Sequence, residues 1–323
     1  MQLNSVHSIK QKIESVWVRS DLDPAFIEAL HQALPIFNST EDTYQNFIDW
    51  MHLPNLCCQA AGGEPFWADE ITAAWLLFYI GAHIMDSIED LDMPDEWWDL
   101  QGSGVALNVA SAFFFSASTL LNEYYQHERT HRIANPVITD FNIGFLRMCQ
   151  GQHFDLVTKR PTLQQYWETV GAKSGTFFSI ASRSGASLAT RDDSRIESFS
   201  RFGYHLGILI QMLDDLEDLD SNNLIGLISN RAQVYSTLPF VYAMEVSDQD
   251  ERQQINSYLD SESFDEQLAS ELIRLLDELG TGIFIHAEMQ KHREKALEAL
   301  DKANPTNPAK DLLTTKLGEL GKI

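Results

Sequence analysis

The sequence predicts an all-α chain, and three observations lead there. Apolar residues recur at spacings of three and four, as in Phe202, Leu206, Leu209, Ile210 and Leu213, which lines one face of a helix. No segment sustains the period-two alternation of a half-buried strand. Breakers are sparse: prolines stand at 24, 35, 54, 65, 94, 136 and 161, then not until Pro239, and last at 305 and 308, so the helices between them have room to be long.

Each element follows in order. The N-terminal stretch MQLNSVHSIKQKIESVW is amphipathic and has no apolar signal-peptide core. The runs from Ile71 to Met85 and from Val105 to Leu121 are interrupted by His83, or by Asn108 and several serines. Neither reaches the roughly 18 unbroken apolar residues of a membrane span, so both are expected as buried helices and no stable membrane insertion is expected. Phe113-Phe114-Phe115 cannot share one helix face, and core packing accounts for them. The stretch from Ser247 to Gln267 is polar and acidic, and reads as a surface connection with one short helix. Turn-forming clusters separate the helices at Gly62-Gly63-Glu64-Pro65, Met93-Pro94-Asp95, Gly102-Ser103-Gly104, Asp220-Ser221-Asn222-Asn223 and Asn304-Pro305-Thr306-Asn307-Pro308. None is long enough for a domain linker, so residues 1–323 are expected to form a single domain.

Composition limits the partners. A formal net charge of −24 over 323 residues argues against nucleic acid or an anionic membrane, which need a basic surface. An anionic substrate stays open, because bound metal reverses the local sign. Cys57, Cys58 and Cys149 have neither an even count nor a zinc-ligand spacing, and read as free thiols of a reducing cytosol, hence a cytoplasmic protein.

The chemistry concentrates in Asp86-Ser87-Ile88-Glu89-Asp90 and Asp214-Asp215-Leu216-Glu217-Asp218, each at the end of an apolar run. Aspartates four apart share a helix face and present hard oxygen ligands suited to Mg²⁺. At a helix C-terminus they oppose the negative end of the macrodipole, so the pair is costly without a cation. One acidic pair alone is more often solvated surface. Two in matching context favour a metal cluster between facing helices, with a polyphosphate as its natural ligand.

The chain from Phe202 to Asp218, with its FG…LG…Q..DD..D spacing, resembles the second aspartate-rich motif of trans-isoprenyl diphosphate synthases, members of the class I terpenoid synthase superfamily. Ala82 to Asp90 is similar to their first motif, and Gly151-Gln152-His153-Phe154-Asp155 to their GQ..D element. Lys173-Ser174-Gly175-Thr176-Phe177-Phe178 with Gly185-Ala186 resembles their KT..L…GA helix, and Thr237-Leu238-Pro239 their TLP. The signals keep the family's order over roughly residues 55 to 300. The resemblance implies one large helical bundle around a central cavity, a cluster of up to three Mg²⁺ ions, an allylic prenyl diphosphate as substrate, and a homodimer, for which Val105 to Leu121 could serve. Asp86, Asp90 and Asp214 match the catalytic metal ligands, with Asp215 and Asp218 beside them, and Ser87 replaces the middle aspartate of the first motif. Lys173, Gln211, Gln152 and Asp155 match substrate-side residues. Arg231, Lys291 and Arg293 are unassigned bases able to close over a leaving diphosphate. Helical spacing adds Tyr79 and Trp75 on the face of Asp86, with small Gly81 and Ala82 expected to leave room for a chain of about fifteen to twenty carbons.

Departures from the family narrow the activity. Synthases that condense isopentenyl diphosphate carry a GG-K-R-x-R-P element and an Arg-Arg pair after the first motif. Here Glu64 stands where the first base would, residues 91–98 hold no base, and no Lys or Arg occurs from Ser20 to Glu128. Tyr235-Ser236 occupies the place of the lysine before TLP. A second diphosphate buried without metal or cation is not tolerated. The expectation is therefore a class I terpene synthase that ionises a C15–C20 allylic diphosphate and releases a cyclised or rearranged product. The alternative is a prenyltransferase to isopentenyl diphosphate or to another acceptor, such as the indole of a peptide, as in ComQ-like relatives. A third possibility is a non-catalytic partner of an active synthase, against which stands the intact second motif, which a structural subunit has no electrostatic reason to keep. Trp97-Trp98 would either cover apolar surface or face a cation.

Overall fold

The computed structural model describes residues 2–34, 50–90, 101–126, 131–219, 224–226, 231–261 and 264–321, the side chains of 2–5, 125–126, 131–136 and 231–232 excepted. Trp97, Trp98 and the turns at 93–95 and 220–223 lie outside the described residues. The described residues are mostly helical, with no strand among them. The helices are α1 Gln2–Arg19, α2 Pro24–Gln32, α3 Leu53–Ala60, α4 Asp69–Glu89, α5 Ser103–Gln126, α6 His131–Val157, α7 Leu163–Val170, α8 Thr176–Ser187, α9 Asp193–Glu217, α10 Arg231–Ser236, α11 Leu238–Val246, α12 Gln249–Leu259, α13 Glu266–Glu278, α14 Thr281–Lys302 and α15 Ala309–Glu319. They group into two compact units. One comprises Met1–Gly144, Ser179–Gly203 and Ala299–Lys316; the other comprises Phe145–Phe178, Tyr204–Glu298 and Leu317–Ile323.

In the first unit α4 is the central helix. Ile71, Ala73, Ala74, Trp75, Leu77, Phe78, Ile80 and Ile84 are all buried, so the helix is apolar on every side, as a core helix must be. Its start is fixed by polar contacts inside the core: Asp69 accepts from Ser8 Oγ at 2.5 Å and from Asn55 Nδ2 at 2.8 Å, and Thr72 donates to Asn55 Oδ1 at 2.6 Å. Burial raises the Asp69 pKa, and the bonds from Ser8 and Asn55 oppose that rise. α1 covers α4 with Ile9, Ile13, Val16 and Trp17, and the Trp17 indole donates to Ser116 of α5 at 3.0 Å.

Of the three consecutive phenylalanines, Phe113 is fully buried and Phe115 is 74% exposed. By length and composition, Pro65–Glu89 and Ser103–Tyr124 are each apolar enough to cross a membrane, which unbroken-run counting did not anticipate. In the fold 67% of the first window and 44% of the second are buried. α4 is thus explained as core, while α5 keeps an apolar outer face at Val105, Leu107 and Phe115.

In the second unit, Val234, Tyr235, Phe240, Ile255, Leu259, Leu272 and Leu276 of α10 to α13 form a core cluster with Leu224. Helix starts are capped from the sequence: Thr162 with Gln165 and Asp248 with Glu251 form capping boxes, and Asp265 caps α13. The acidic stretch from Ser247 holds the expected short helix, α12, before α13 begins at Glu266.

Candidate active site

The second acidic motif ends α9, and its two leading aspartates do different things. Asp215 is buried and fully engaged: Oδ2 accepts from the Tyr166 hydroxyl at 2.6 Å and from the Leu238 backbone N–H at 2.8 Å, and Oδ1 accepts from Gln211 Nε2 at 3.0 Å. Burial raises its pKa, while these three donors favour the ionised form and hold the rise back. One carboxylate thereby ties α9 to α7 and to the start of α11. The Leu238 contact gives TLP a physical meaning: Pro239 sits at the head of α11 and leaves the Leu238 amide to donate to Asp215.

Asp214 is exposed instead. Crowding by protein and the charges of Asp215, Glu217 and Asp218 raise its pKa well above the usual carboxylate value. An oxygen-only, like-charged set of this kind suits Mg²⁺ rather than a softer metal.

Lys173 lies in a π-helical turn, Gly171–Gly175, between α7 and α8, and such turns are frequent at functional sites. Its ammonium pairs with Asp155 at 2.9 Å, with both side chains about a quarter exposed. The turn is possible because small residues meet there. A Cβ at Gly207 would lie 2.2 Å from the Ser174 carbonyl oxygen, and one at Gly171 would lie 2.4 Å from the Tyr204 hydroxyl. α9 therefore touches the turn backbone to backbone, and Ser174 donates to Gln211 at 2.8 Å. Gln152, one turn before Asp155 on α6, has both side-chain polar atoms buried and without a hydrogen-bond partner. Such an amide needs a polar partner from outside the protein. Within one unit, the Asp155–Lys173 pair thus adjoins, through the Lys173-Ser174 peptide, a hydrogen-bonded chain of Ser174, Gln211, Asp215 and Tyr166, of which Tyr166 was marked by no motif.

The other expected residues fall differently. Asp86 and Asp90 close α4 in the first unit, half-buried, with Asp90 N–H bonded to Asp86 O at 2.8 Å. Ser87 between them is buried. Trp75 is fully buried, and Tyr79 is half-buried with its ring stacked on His83 at 6.2 Å. The room expected beside Gly81 is filled, because its missing Cβ would lie 2.9 Å from the Phe114 ring, which also packs on Phe78 at 5.8 Å. Lys291 pairs with Glu288 on its own helix at 2.8 Å, and Arg293 bonds to Gln290 at 3.2 Å and to the Leu320 carbonyl. The Arg231 side chain lies outside the described residues. Among the described residues no three His, Cys, Asp or Glu side chains converge as a metal site.

Comparison with known proteins places this arrangement. The sequence profile of the polyprenyl synthetase family matches residues 95–276, and the chain belongs to that family. It is 24% identical over 300 residues to the tryptophan prenyltransferase ComQ of Bacillus subtilis, covering 89% of this chain and 92% of that protein. It is 27% identical over 164 residues to the geranylgeranyl diphosphate synthase of Mycobacterium tuberculosis, covering 49% and 46%. The fold is that of a geranylgeranyl pyrophosphate synthetase from Pyrococcus horikoshii, TM-score 0.83 at 20% identity over 99% and 98% of the two chains. It also matches an octaprenyl pyrophosphate synthase from Helicobacter pylori, TM-score 0.76 at 18% identity over 98% and 99%. The all-α terpenoid synthase fold expected from the motifs is the observed one, and the family makes the chain an enzyme of the prenyltransferase type.

Proposed function

We propose that this protein is a Mg²⁺-dependent prenyltransferase that moves the allylic group of a C15–C20 prenyl diphosphate to an acceptor other than isopentenyl diphosphate, an indole in the first instance. One observation carries the proposal: a complete second acidic motif stands in a chain without a single Lys or Arg from Ser20 to Glu128. One metal-bound diphosphate has ligands, and a second, metal-free one finds no cation in that part of the chain. The likeness to a tryptophan prenyltransferase along 89% of the chain supports an indole as the group that takes the place of isopentenyl diphosphate.

In this proposal Asp214 and Asp218 would be metal ligands in the second unit, and Asp86 and Asp90 would be metal ligands in the first. Bound Mg²⁺ supplies charge neutralisation for the oxygens of the leaving diphosphate. Lys173, steadied by Asp155, adds a fixed positive charge, and Gln152 completes its buried amide against the polar shell. Asp215 positions the motif through Tyr166, Gln211 and Leu238. The allylic carbon–oxygen bond breaks with its electron pair leaving on diphosphate, a bond forms to the electron-rich acceptor atom, and that atom loses its proton.

Incubation with Mg²⁺ and the ten-, fifteen- and twenty-carbon allylic diphosphates tests this, with a tryptophan-containing peptide or isopentenyl diphosphate as acceptor and EDTA as control. A mass gain of one prenyl group on the peptide is expected. A longer prenyl chain in its place would refute the proposal, and a cyclised volatile product formed without any acceptor would restore the terpene synthase expected from sequence. We further propose a single-domain, cytoplasmic homodimer that uses the apolar outer face of α5, for which a monomeric mass by light scattering is the contrary result.

A further inference from the structure

Five aromatic rings run in contact through the second unit and join the two places on which its polar network depends. Tyr166, the brace on Asp215, meets Trp167 edge-on with centroids 5.0 Å apart. Trp167 is stacked on His292 of α14 at 5.7 Å. His292 meets His205 of α9 at 5.1 Å, and His205 meets its neighbour Tyr204 at 5.5 Å, both nearly perpendicular. The last ring fills the π-helical turn that carries Lys173: a Cβ at Gly175 would lie 2.7 Å from the Tyr204 ring, and one at Gly171 would lie 2.4 Å from its hydroxyl. The two glycines leave a notch that Tyr204 occupies, and Thr176 ties the ends of the turn, its hydroxyl donating to Gly171 O at 3.0 Å.

One link in this chain is directional. Ring contacts are satisfied anywhere between about 4.5 and 7 Å of centroid separation, whereas a hydrogen bond weakens steeply once its angle closes. The Nδ1 atoms of His205 and His292 stand 3.2 Å apart, so one ring donates its Nδ1 proton and the other accepts it. His292 is 7% exposed. Burial, then the charges of His205, Lys295 and Lys291, hold its pKa far below the ordinary value and keep the ring neutral. Two apolar rings would fill the same space without the desolvation that buried imidazoles bear. What the imidazoles add is a fixed angle between α9 and α14. We propose that His205 and His292 form a positioning pair for Lys173: their hydrogen bond sets Tyr204 in the notch of the turn, and the turn holds the ammonium where it meets the leaving diphosphate. The diphosphate as the partner of Lys173 rests on the transfer function proposed above; the placement of the turn does not.

Two substitutions at His292 separate the bond from the ring. His292→Phe keeps a ring against Trp167 and removes the nitrogen; His292→Asn removes the ring and keeps an amide near the place of Nδ1. A purely structural role makes Phe the better variant in every assay. The proposal predicts opposite orders: Phe the more stable in urea, Asn the faster in diphosphate release, with kcat/KM of His292→Phe about tenfold below wild type. In a Lys173→Ala background His292→Phe should cost nothing further, because residues that act through one another are not additive. Amide hydrogen exchange read by mass spectrometry follows the turn without any chemistry: His292→Phe should speed exchange over Gly171–Thr176 and His292→Asn should restore it. Tyr204→Ala, which empties the notch from its other end, should reproduce both losses, and Ile283→Ala, exposed on the same helix, should leave rate and exchange unchanged. Circular dichroism confirms that each variant is folded. The proposal is overturned if His292→Phe exchanges at the turn as the wild type does, if Asn is no faster than Phe in diphosphate release, or if the losses at His292 and Lys173 multiply. Should the wild type release no diphosphate from any allylic substrate, the transfer function falls, and exchange at the turn alone decides whether the pair holds it.

Discussion

Replacing Tyr166 by Phe isolates the brace on the second motif. The hydroxyl donates to Asp215 Oδ2 at 2.6 Å inside the core, and the ring packs edge-on against Trp167 with centroids 5.0 Å apart. The substitution keeps the ring and deletes one donor. Asp215 retains Gln211 and the Leu238 amide, so it is weakened rather than orphaned, and the loss is that of one hydrogen bond to a charged group, about 1.5–3 kcal/mol. For a chain of this size that lowers the melting temperature by roughly 2–4 °C. The deleted bond favoured the ionised carboxylate, so the folded-state pKa of Asp215 rises further. The gap between wild type and variant is then widest at neutral pH and closes in acid, where Asp215 takes up a proton in both. Thermal unfolding followed by circular dichroism at pH 7 and pH 5 reads both effects. A variant within about 0.5 kcal/mol of wild type at pH 7, the scatter of an ordinary surface change, would refute the assignment of Asp215 as a brace.

Three further outcomes follow from the same geometry. Gly207→Ala forces a methyl group against the Ser174 carbonyl; it should cost about 1–3 kcal/mol of stability by urea titration and shift the turn carrying Lys173, so that diphosphate release falls with it. Asp214→Asn removes a charge from a mutually repelling group. It should melt higher than wild type in EDTA, lose diphosphate release by on the order of a hundredfold or more, and no longer melt higher when Mg²⁺ and a non-hydrolysable allylic diphosphate are added together. Burial, then the charges of His205, Lys295 and Lys291, push His292 down to about 3 from an ordinary 6.5. Its ring is stacked on Trp167 at 5.7 Å and meets His205 at 3.2 Å. A depressed folded-state pKa means that its contribution is complete above about pH 6.5 and lost as pH falls toward 3, so His292→Phe should flatten the acid limb of the stability profile measured by urea unfolding.

The helical class was legible because α4 and α9 repeat their apolar positions over five or more turns, and burial enforces that repeat. The second motif was legible by spacing, but the division of labour within it was not: Asp214 and Asp215 are adjacent carboxylates in sequence and differ only in what α7 and α11 bring to them. The π-helical turn at Lys173 was hidden for the same reason, since Gly171, Gly175 and Gly207 read as weak helix positions until the Tyr204 ring and the Ser174 carbonyl are seen against them. Spacing also put Trp75 and Tyr79 on the face of Asp86, while the neighbouring helix decided that Phe114 fills the space beside Gly81. Lys291 and Arg293, chosen as bases near no motif, found partners on α14 and at the chain's C-terminal end, which no local pattern announces.

The anchoring of Asp215 changes what a surviving Asp-Asp pair can testify to. A pseudoenzyme paralogue that had abandoned ionisation would still be selected to keep Asp215, because three elements come loose without it, whereas nothing in the packing would protect Asp214. Retention of Asp215 alone is therefore weak testimony for activity, and drift at Asp214 is the mark to seek when sorting working relatives from inert ones.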